Sequence, residues 1–70
     1  MKEEQKKKIL EKIYNEIEEY SETNNYNLSA IAGYTSGVLN TIFHFTNFND
    51  YNELFDNIQE HVRDKYDVYV

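Results

Sequence analysis

Core-type residues recur along this chain in three stretches, and within each stretch their spacing follows the turn of an α-helix. In the first stretch these positions are Ile9, Leu10, Ile13, Tyr14, Ile17 and Tyr20. In the second they are Leu28, Ile31, Ala32, Thr35, Val38, Leu39, Ile42 and Phe43. In the third they are Tyr51, Leu54, Phe55, Ile58, Val62 and Tyr66. The pattern predicts helices over roughly residues 3–20, 28–45 and 50–66.

Short polar segments separate the three stretches. Residues 21–26 and 46–49 are rich in Asn, Ser and Thr, which favour turns because their side chains bond to nearby backbone groups. Asn27 and Asn49 stand where helix N-caps are expected. Three amphipathic helices joined by short loops predict an all-α fold, a compact three-helix bundle in which residues 1–70 form a single domain.

Two glycines interrupt the middle stretch and leave its continuity open. Ser29, Gly33 and Gly37 form a row of small residues at intervals of four. Each interior glycine costs about 1 kcal/mol relative to alanine in a helix. Either another backbone approaches this row closely and offsets the cost, or the helix breaks near Gly33.

Charge is unevenly distributed along this acidic chain, whose net charge is −6. Residues 1–12 carry five Lys and three Glu, and residues 13–22 carry four Glu and no base. Residues 23–49 carry no charge, whereas residues 50–70 carry six acids against Arg63 and Lys65. An uncharged middle segment therefore lies between two charged flanks.

The residue types present disfavour catalysis and metal binding. The chain has no Cys, and its two His residues, His44 and His61, have no partners at ligand or catalytic spacing. No phosphate-binding glycine loop or nucleophile motif occurs. We expect no enzyme, no cofactor and no metal, and we expect His61 to be packed beside the apolar face of the third helix.

Acidic residues form a regular row on the third predicted helix. This carboxylate row consists of Glu53, Asp56, Glu60, Asp64 and Asp67. At 3.6 residues per turn it spans about 80° of arc opposite the apolar stripe. Such a face is often merely solvated, but like charges one turn apart repel, and few bases lie nearby to relieve them. The row therefore indicates a surface that meets a basic partner.

A second acidic cluster, Glu16, Glu18, Glu19 and Glu22, opposes the helix dipole at the end of the first helix.

Aromatic residues exceed what three short helices can bury. There are seven Tyr and four Phe, and several lie outside the core stripes, among them Tyr34, Phe45 and Phe48. They either cap the ends of the bundle or form an exposed uncharged patch for a protein contact or a homodimer seam.

Two resemblances bear on function. In composition the chain is similar to small acidic phage proteins that mimic DNA and inhibit restriction or CRISPR nucleases.

Residues 28–42 resemble a helix-turn-helix with Gly33 in the turn, Ala32 and Leu39 buried, and Ile42 closing the second helix. That resemblance would place Thr35, Ser36, Asn40 and Thr41 near base edges. The segment has no Lys or Arg to neutralise phosphates, so nucleic-acid binding is disfavoured.

These observations favour a small acidic regulatory protein that docks on another protein, one that has a basic surface. Its carboxylate row would meet that surface, and Tyr34, Phe45 and Phe48 would supply apolar contacts. A phage-type inhibitor that covers a nucleic-acid-binding surface is one form of this hypothesis. A helix-turn-helix DNA-binding regulator and a structural homo-oligomer are the alternatives. With no signal sequence or membrane-spanning run, we expect a cytoplasmic protein without a membrane partner.

Overall fold

A computed structural model describes all residues, 1–70, and contains three helices that each pack against the other two. They are α1 (Glu3–Thr23), α2 (Leu28–Phe45) and α3 (Phe48–Tyr66). The start of α1 contacts the start of α3, so these two helices run parallel and α2 runs antiparallel to both. The molecule measures 34 × 18 × 18 Å. The predicted three-helix bundle is confirmed.

The first helix is longer than predicted, because two hydroxyl residues join it. Ser21 donates to the carbonyl of Ile17 at 2.7 Å, and Thr23 donates to the carbonyl of Glu19 at 3.0 Å. Ser21 is also fully buried. Residues that commonly favour turns therefore stay helical here, since carbonyl groups of the helix satisfy their hydroxyls.

The third helix begins two residues earlier than predicted, and its N-cap is Asn47 rather than Asn49. The Asn47 side chain accepts a hydrogen bond from the Asp50 backbone at 2.8 Å and donates one to the Asp50 carboxylate at 2.9 Å. An Asn placed three residues before Asp50 can satisfy an N-terminal donor in this way, whereas Asn49 lies inside the first turn.

The helix α3 ends at a left-handed residue, and the tail then folds back onto the core. Asp67 has φ 58° and ψ 39°. Its N–H donates to the carbonyl of Arg63, and the N–H of Val68 donates to the carbonyl of Val62. The Asp67 bond is that of the αL motif, in which the left-handed residue donates to the carbonyl four residues before it. Val68 is buried as a result.

The middle helix passes through both glycines without a break. The helix-turn-helix interpretation of residues 28–42 is therefore wrong, since α2 is continuous from Leu28 to Phe45. A Cβ atom placed at Gly33 or Gly37 would meet nothing within 4 Å. Neither proposed explanation for the glycines holds inside the chain, because the helix is unbroken and no other backbone lies within 4 Å of a Cβ at either position.

The core is a single cluster of nine buried apolar side chains from all three helices and the tail. They are Ile13, Ile17, Ile31, Leu39, Leu54, Ile58, Val62, Tyr66 and Val68. Two predicted core residues of α2 are instead exposed. Leu28 lies in the first turn of α2 at the end of the bundle, and the Phe43 ring covers the α2–α3 seam from outside, edge-on to Tyr51 at 5.2 Å.

One core residue, Thr35, is polar and unsatisfied. Its side chain is 0% exposed, and its hydroxyl has no hydrogen-bond partner. A buried hydroxyl without a partner keeps its desolvation cost uncompensated. We predict that Thr35→Val, which replaces the hydroxyl by a methyl group of similar shape, raises the free energy of unfolding by about 1 kcal/mol.

Urea unfolding followed by circular dichroism measures this change, and Thr41→Val is the matched control. Thr41 is exposed and its hydroxyl donates to the Gly37 carbonyl at 2.9 Å. The control should stay within about 0.5 kcal/mol of the parent. A loss of stability in Thr35→Val would show that the hydroxyl has a partner in the folded chain.

Candidate binding surfaces

Three carboxylates of the carboxylate row form an open surface on the back of α3. Asp56, Glu60 and Asp64 are exposed and lie opposite the side chains that α3 contributes to the core. Asp56 and Glu60 make no ion pair, and Asp64 lies 3.7 Å from the neighbouring Arg63. At a rise of 1.5 Å per residue, the three span about 12 Å along the helix. We call this surface the α3 acidic face.

Glu53 belongs to the same row but is engaged inside the chain. Its carboxylate binds the ammonium group of Lys6 on α1. Lys6 also contacts Glu3 at 2.7 Å and Asp50 at 4.0 Å, and its side chain is only 8% exposed. The expectation that only Arg63 and Lys65 relieve the row is therefore wrong at Glu53, because α1 supplies a cation from across the interface.

The last member of the row, Asp67, lies off the helix. It occupies the left-handed position that ends α3, where Asp is tolerated better than most side chains. The helical projection that aligned it with Asp64 therefore does not apply. Asp67 remains exposed, but it belongs to the end of the bundle rather than to the α3 acidic face.

The three aromatic residues predicted to meet a partner do not form one patch. Phe45 and Phe48 are 82% and 73% exposed and flank the two-residue turn between α2 and α3. Tyr34 lies further back on α2, where its ring stacks on Tyr20 of α1 at 4.3 Å. We call Phe45 and Phe48 the aromatic turn. Tyr34 is half-buried and serves the α1–α2 contact.

The second acidic cluster also divides into internal and free residues. Glu18 accepts hydrogen bonds from the hydroxyls of Tyr66 at 2.7 Å and Tyr26 at 3.2 Å, and it lies 3.5 Å from Lys65. The Tyr66 hydroxyl is the main reason that the pKa of Glu18 is lowered. The remaining members, Glu16, Glu19 and Glu22, are exposed and make no ion pair.

The first turns of α1 and α3 are also joined by paired charges. The α-ammonium group of Met1 lies 3.0 Å from the carboxylate of Asp50, which lowers the pKa of that carboxyl group. On the other side of this cluster, the hydrogen bonds that Lys6 donates to Glu3 and Glu53 raise the pKa of Lys6 above its ordinary value. Each buried or half-buried charge here has a partner of opposite sign.

His61 is packed between helices, as the sequence predicts. Its ring stacks on Tyr14 of α1 at 3.9 Å, and Tyr66 meets it edge-on at 6.1 Å. Burial is the main reason that the pKa of His61 is lowered, and the charge of Lys65 acts in the same direction. Glu18 and Asp64 oppose the shift without cancelling it.

Sequence reasoning missed the internal roles of Lys6 and Glu18. For Lys6 a signal existed, because position 6 lies seven residues before Ile13 and so falls on the apolar stripe of α1. No comparable signal marks Glu18, whose partners lie 8 and 48 residues away in sequence. Its role depends on the arrangement of the helices, which the pattern of one helix does not contain.

No protein-family model, curated protein or solved structure matches this chain at significant similarity. None of the three helices combines the length and apolar character that crossing a membrane requires.

The titration of His61 predicts a pH dependence of stability. Because its pKa is lowered from 6.5 in the folded state, the unfolded chain binds a proton more readily. The contribution of His61 is therefore complete above pH 6.5 and is lost as the pH falls through the folded pKa. Glu18 and Asp50, whose pKa values are lowered from 4.5 and 3.8, add a second loss at lower pH.

We predict that His61→Phe, which keeps a ring against Tyr14 but cannot titrate, flattens the thermal-unfolding midpoint between about pH 7 and pH 5. The parent midpoint should fall over this range. His44→Gln is the control, because it removes an exposed imidazole that is not packed between helices. An unaltered slope in His61→Phe would mean that other groups cause the acid destabilisation.

Proposed function

We propose that this chain is a small binding protein that docks on a basic surface of another protein through its α3 acidic face. One observation carries the proposal: Asp56 and Glu60 are exposed without an ion pair, and Asp64 has only its helix neighbour at 3.7 Å. Elsewhere in the molecule, carboxylates that lie at helix interfaces have cationic or hydroxyl partners.

Leaving these carboxylates unpaired has an energetic cost that a partner can remove. Like charges at i, i+4 destabilise a helix by about 0.2–0.5 kcal/mol per pair, and the α3 acidic face contains two such pairs, 56/60 and 60/64. A basic surface would relieve this repulsion and would also attract the acidic chain over a distance. The role of such a face is mainly to set specificity and association rate.

The density of charge decides what sort of basic surface fits. Duplex DNA carries one negative charge per about 1.7 Å, which is about seven charges over the ~12 Å that Asp56, Glu60 and Asp64 span along α3. The α3 acidic face offers three. It therefore suits a compact basic patch, including part of a nucleic-acid-binding groove, better than the full length of a groove that holds a duplex. An inhibitor of a nucleic-acid-binding protein is the finer form of this proposal, and composition alone supports it.

The aromatic turn supplies the apolar part of the proposed contact. Phe48 opens α3 and lies eight residues before Asp56, about 12 Å along the same helix. Phe45 lies across the turn from it, and both rings are mostly exposed. Aromatic anchors beside a charged rim are typical of specific protein interfaces.

The test removes three charges without removing side chains. We predict that Asp56→Asn, Glu60→Gln and Asp64→Asn together weaken partner binding about tenfold, since exposed ion pairs contribute about 0.2–1 kcal/mol each. The tagged chain captures its partner from a lysate of the source cells under stepwise elution with salt. Titration of the recovered partner then measures affinity and its dependence on salt, which should become shallower in the triple variant.

A matched control makes the same change in net charge on another helix. Glu4→Gln, Glu11→Gln and Glu22→Gln neutralise three exposed, unpaired carboxylates of α1. This variant should bind almost as the parent does. Equal weakening in both variants would reduce the effect to net charge, and no weakening in the first would refute the role of the α3 acidic face.

A further inference from the structure

A shallow groove between α1 and α2 lies away from α3 and from the α3 acidic face. It is lined by residues of these two helices only, and most of the lining is apolar or glycine: Ile13, Gly33, Tyr34, Gly37, Val38 and Ile42. Glu16 on the α1 rim and Thr41 on α2 complete it. The groove therefore exposes an uncharged strip of α2 beside one charged edge of α1.

The strip is open to close approach at its centre. A Cβ atom at Gly37 would meet nothing within 4 Å, and the Gly37 carbonyl is bonded to the Thr41 hydroxyl. No contact within the chain uses this space, although glycine in a helix costs about 1 kcal/mol relative to alanine. Another helix could therefore approach the backbone of α2 here more closely than at a position that carries a side chain.

On the α1 side of the groove, Glu16 forms the rim, Lys12 lies one helical turn before it, and Glu19 lies about one turn after it. Lys12 and Glu16 lie one helical turn apart, are exposed, and make no ion pair within the chain. The midpoint between them is at the level of residue 14 of α1. Ile13 and Glu16 line the same groove as Gly37, so Gly37 of α2 lies near that level as well.

We propose that this groove binds a second copy of the chain through a twofold axis that passes near Gly37. A twofold contact is self-complementary. If one residue of the first copy meets a given residue of the second copy, the same pair also forms with the two copies exchanged. With the two α1 helices antiparallel across the axis, Lys12 of each copy faces Glu16 of the other. Two ion pairs then flank a central contact in which the α2 helices meet at Gly37.

Charge favours a second copy over a foreign partner at this site. Two molecules that each carry −6 repel one another across most of their surfaces. The helix α2 has no Asp, Glu, Lys or Arg. In the antiparallel pairing, Lys12 is set against Glu16, and Glu19 lies opposite the level of the uncharged Ile9. This is therefore a face through which two acidic copies can meet without opposing like charges. A basic partner would find more complementary charge on the α3 acidic face.

Self-association would also stabilise the folded chain. A domain of about 70 residues buries a small core and commonly needs a further source of stability, which oligomerisation can supply. The groove and the α3 acidic face lie on different sides of the bundle. The dimer proposal is therefore independent of the proposed function, and both surfaces could be occupied together.

A charge-swap series tests the predicted pairing. Sedimentation velocity over a dilution series should detect a monomer–dimer equilibrium for the parent. Lys12→Glu and Glu16→Lys should each weaken the dimer about tenfold, since each creates two facing like charges. The double variant should restore the parent dissociation constant, because it exchanges the two signs and keeps both pairs.

The series separates pairing from net charge. Glu16→Lys makes the chain less acidic, so an effect of net charge alone would strengthen the dimer in this variant rather than weaken it. Lys7→Glu is the control for Lys12→Glu, because Lys7 is exposed and lines the opposite groove between α1 and α3. The control should dimerise almost as the parent does.

A bulk substitution tests the contact at the axis. Gly37→Leu should give a monomer that remains helical by circular dichroism, because the side chain enters open space in the isolated chain. A parent that stays monomeric at every concentration would overturn the proposal. So would unchanged association in both single charge variants, or a double variant that stays as weak as the singles. The triple carboxamide variant of α3 should still dimerise, which separates this result from the fate of the proposed function.

Discussion

The parallel contact between α1 and α3 is joined at each end by paired charges, and the layout of the remaining surface depends on this pairing. At one end Lys6, nearly buried, binds Glu53 and approaches Asp50. At the other end Glu18 accepts a hydrogen bond from Tyr66 and lies near Lys65. Both helices are rich in acid, and at these two ends cations and hydroxyls offset the charge of the carboxylates that face the neighbouring helix. Between the two ends, apolar side chains and the Tyr14–His61 stack fill the interface.

The acidic residues fall into two groups according to whether they face a neighbouring helix. Those that face a neighbouring helix are paired with cations or hydroxyls, and most of those on the outer sides make no ion pair within the chain. The chain thus has three surfaces of different character: the α3 acidic face, the aromatic turn and the uncharged groove beside α2. Each suits a different kind of contact.

The helices themselves could be predicted from the sequence, because the apolar period that defines them is local. Their ends were less predictable. Ser21 and Thr23 extend α1 through hydrogen bonds to carbonyl groups of their own helix. Asn47 rather than Asn49 caps α3, because it lies three residues before Asp50 and accepts a hydrogen bond from the Asp50 N–H. The helical spacing of the carboxylate row could be predicted from the sequence. A projection of one helix, however, does not show which residues of the neighbouring helix lie opposite that row. Glu53 therefore looked free when it is paired.

The central claim is that acidic residues at the α1–α3 interface stabilise the fold while those on the α3 acidic face do not. Urea unfolding of Glu18→Ala and Glu60→Ala compares one residue of each kind with the same change in side chain, charge and helix propensity. We expect a lower unfolding midpoint for Glu18→Ala, because the Tyr66 hydroxyl loses its acceptor at 2.7 Å. We expect an unchanged or higher midpoint for Glu60→Ala, because repulsion along α3 is relieved. Equal midpoints, or a loss confined to Glu60→Ala, would contradict the central claim.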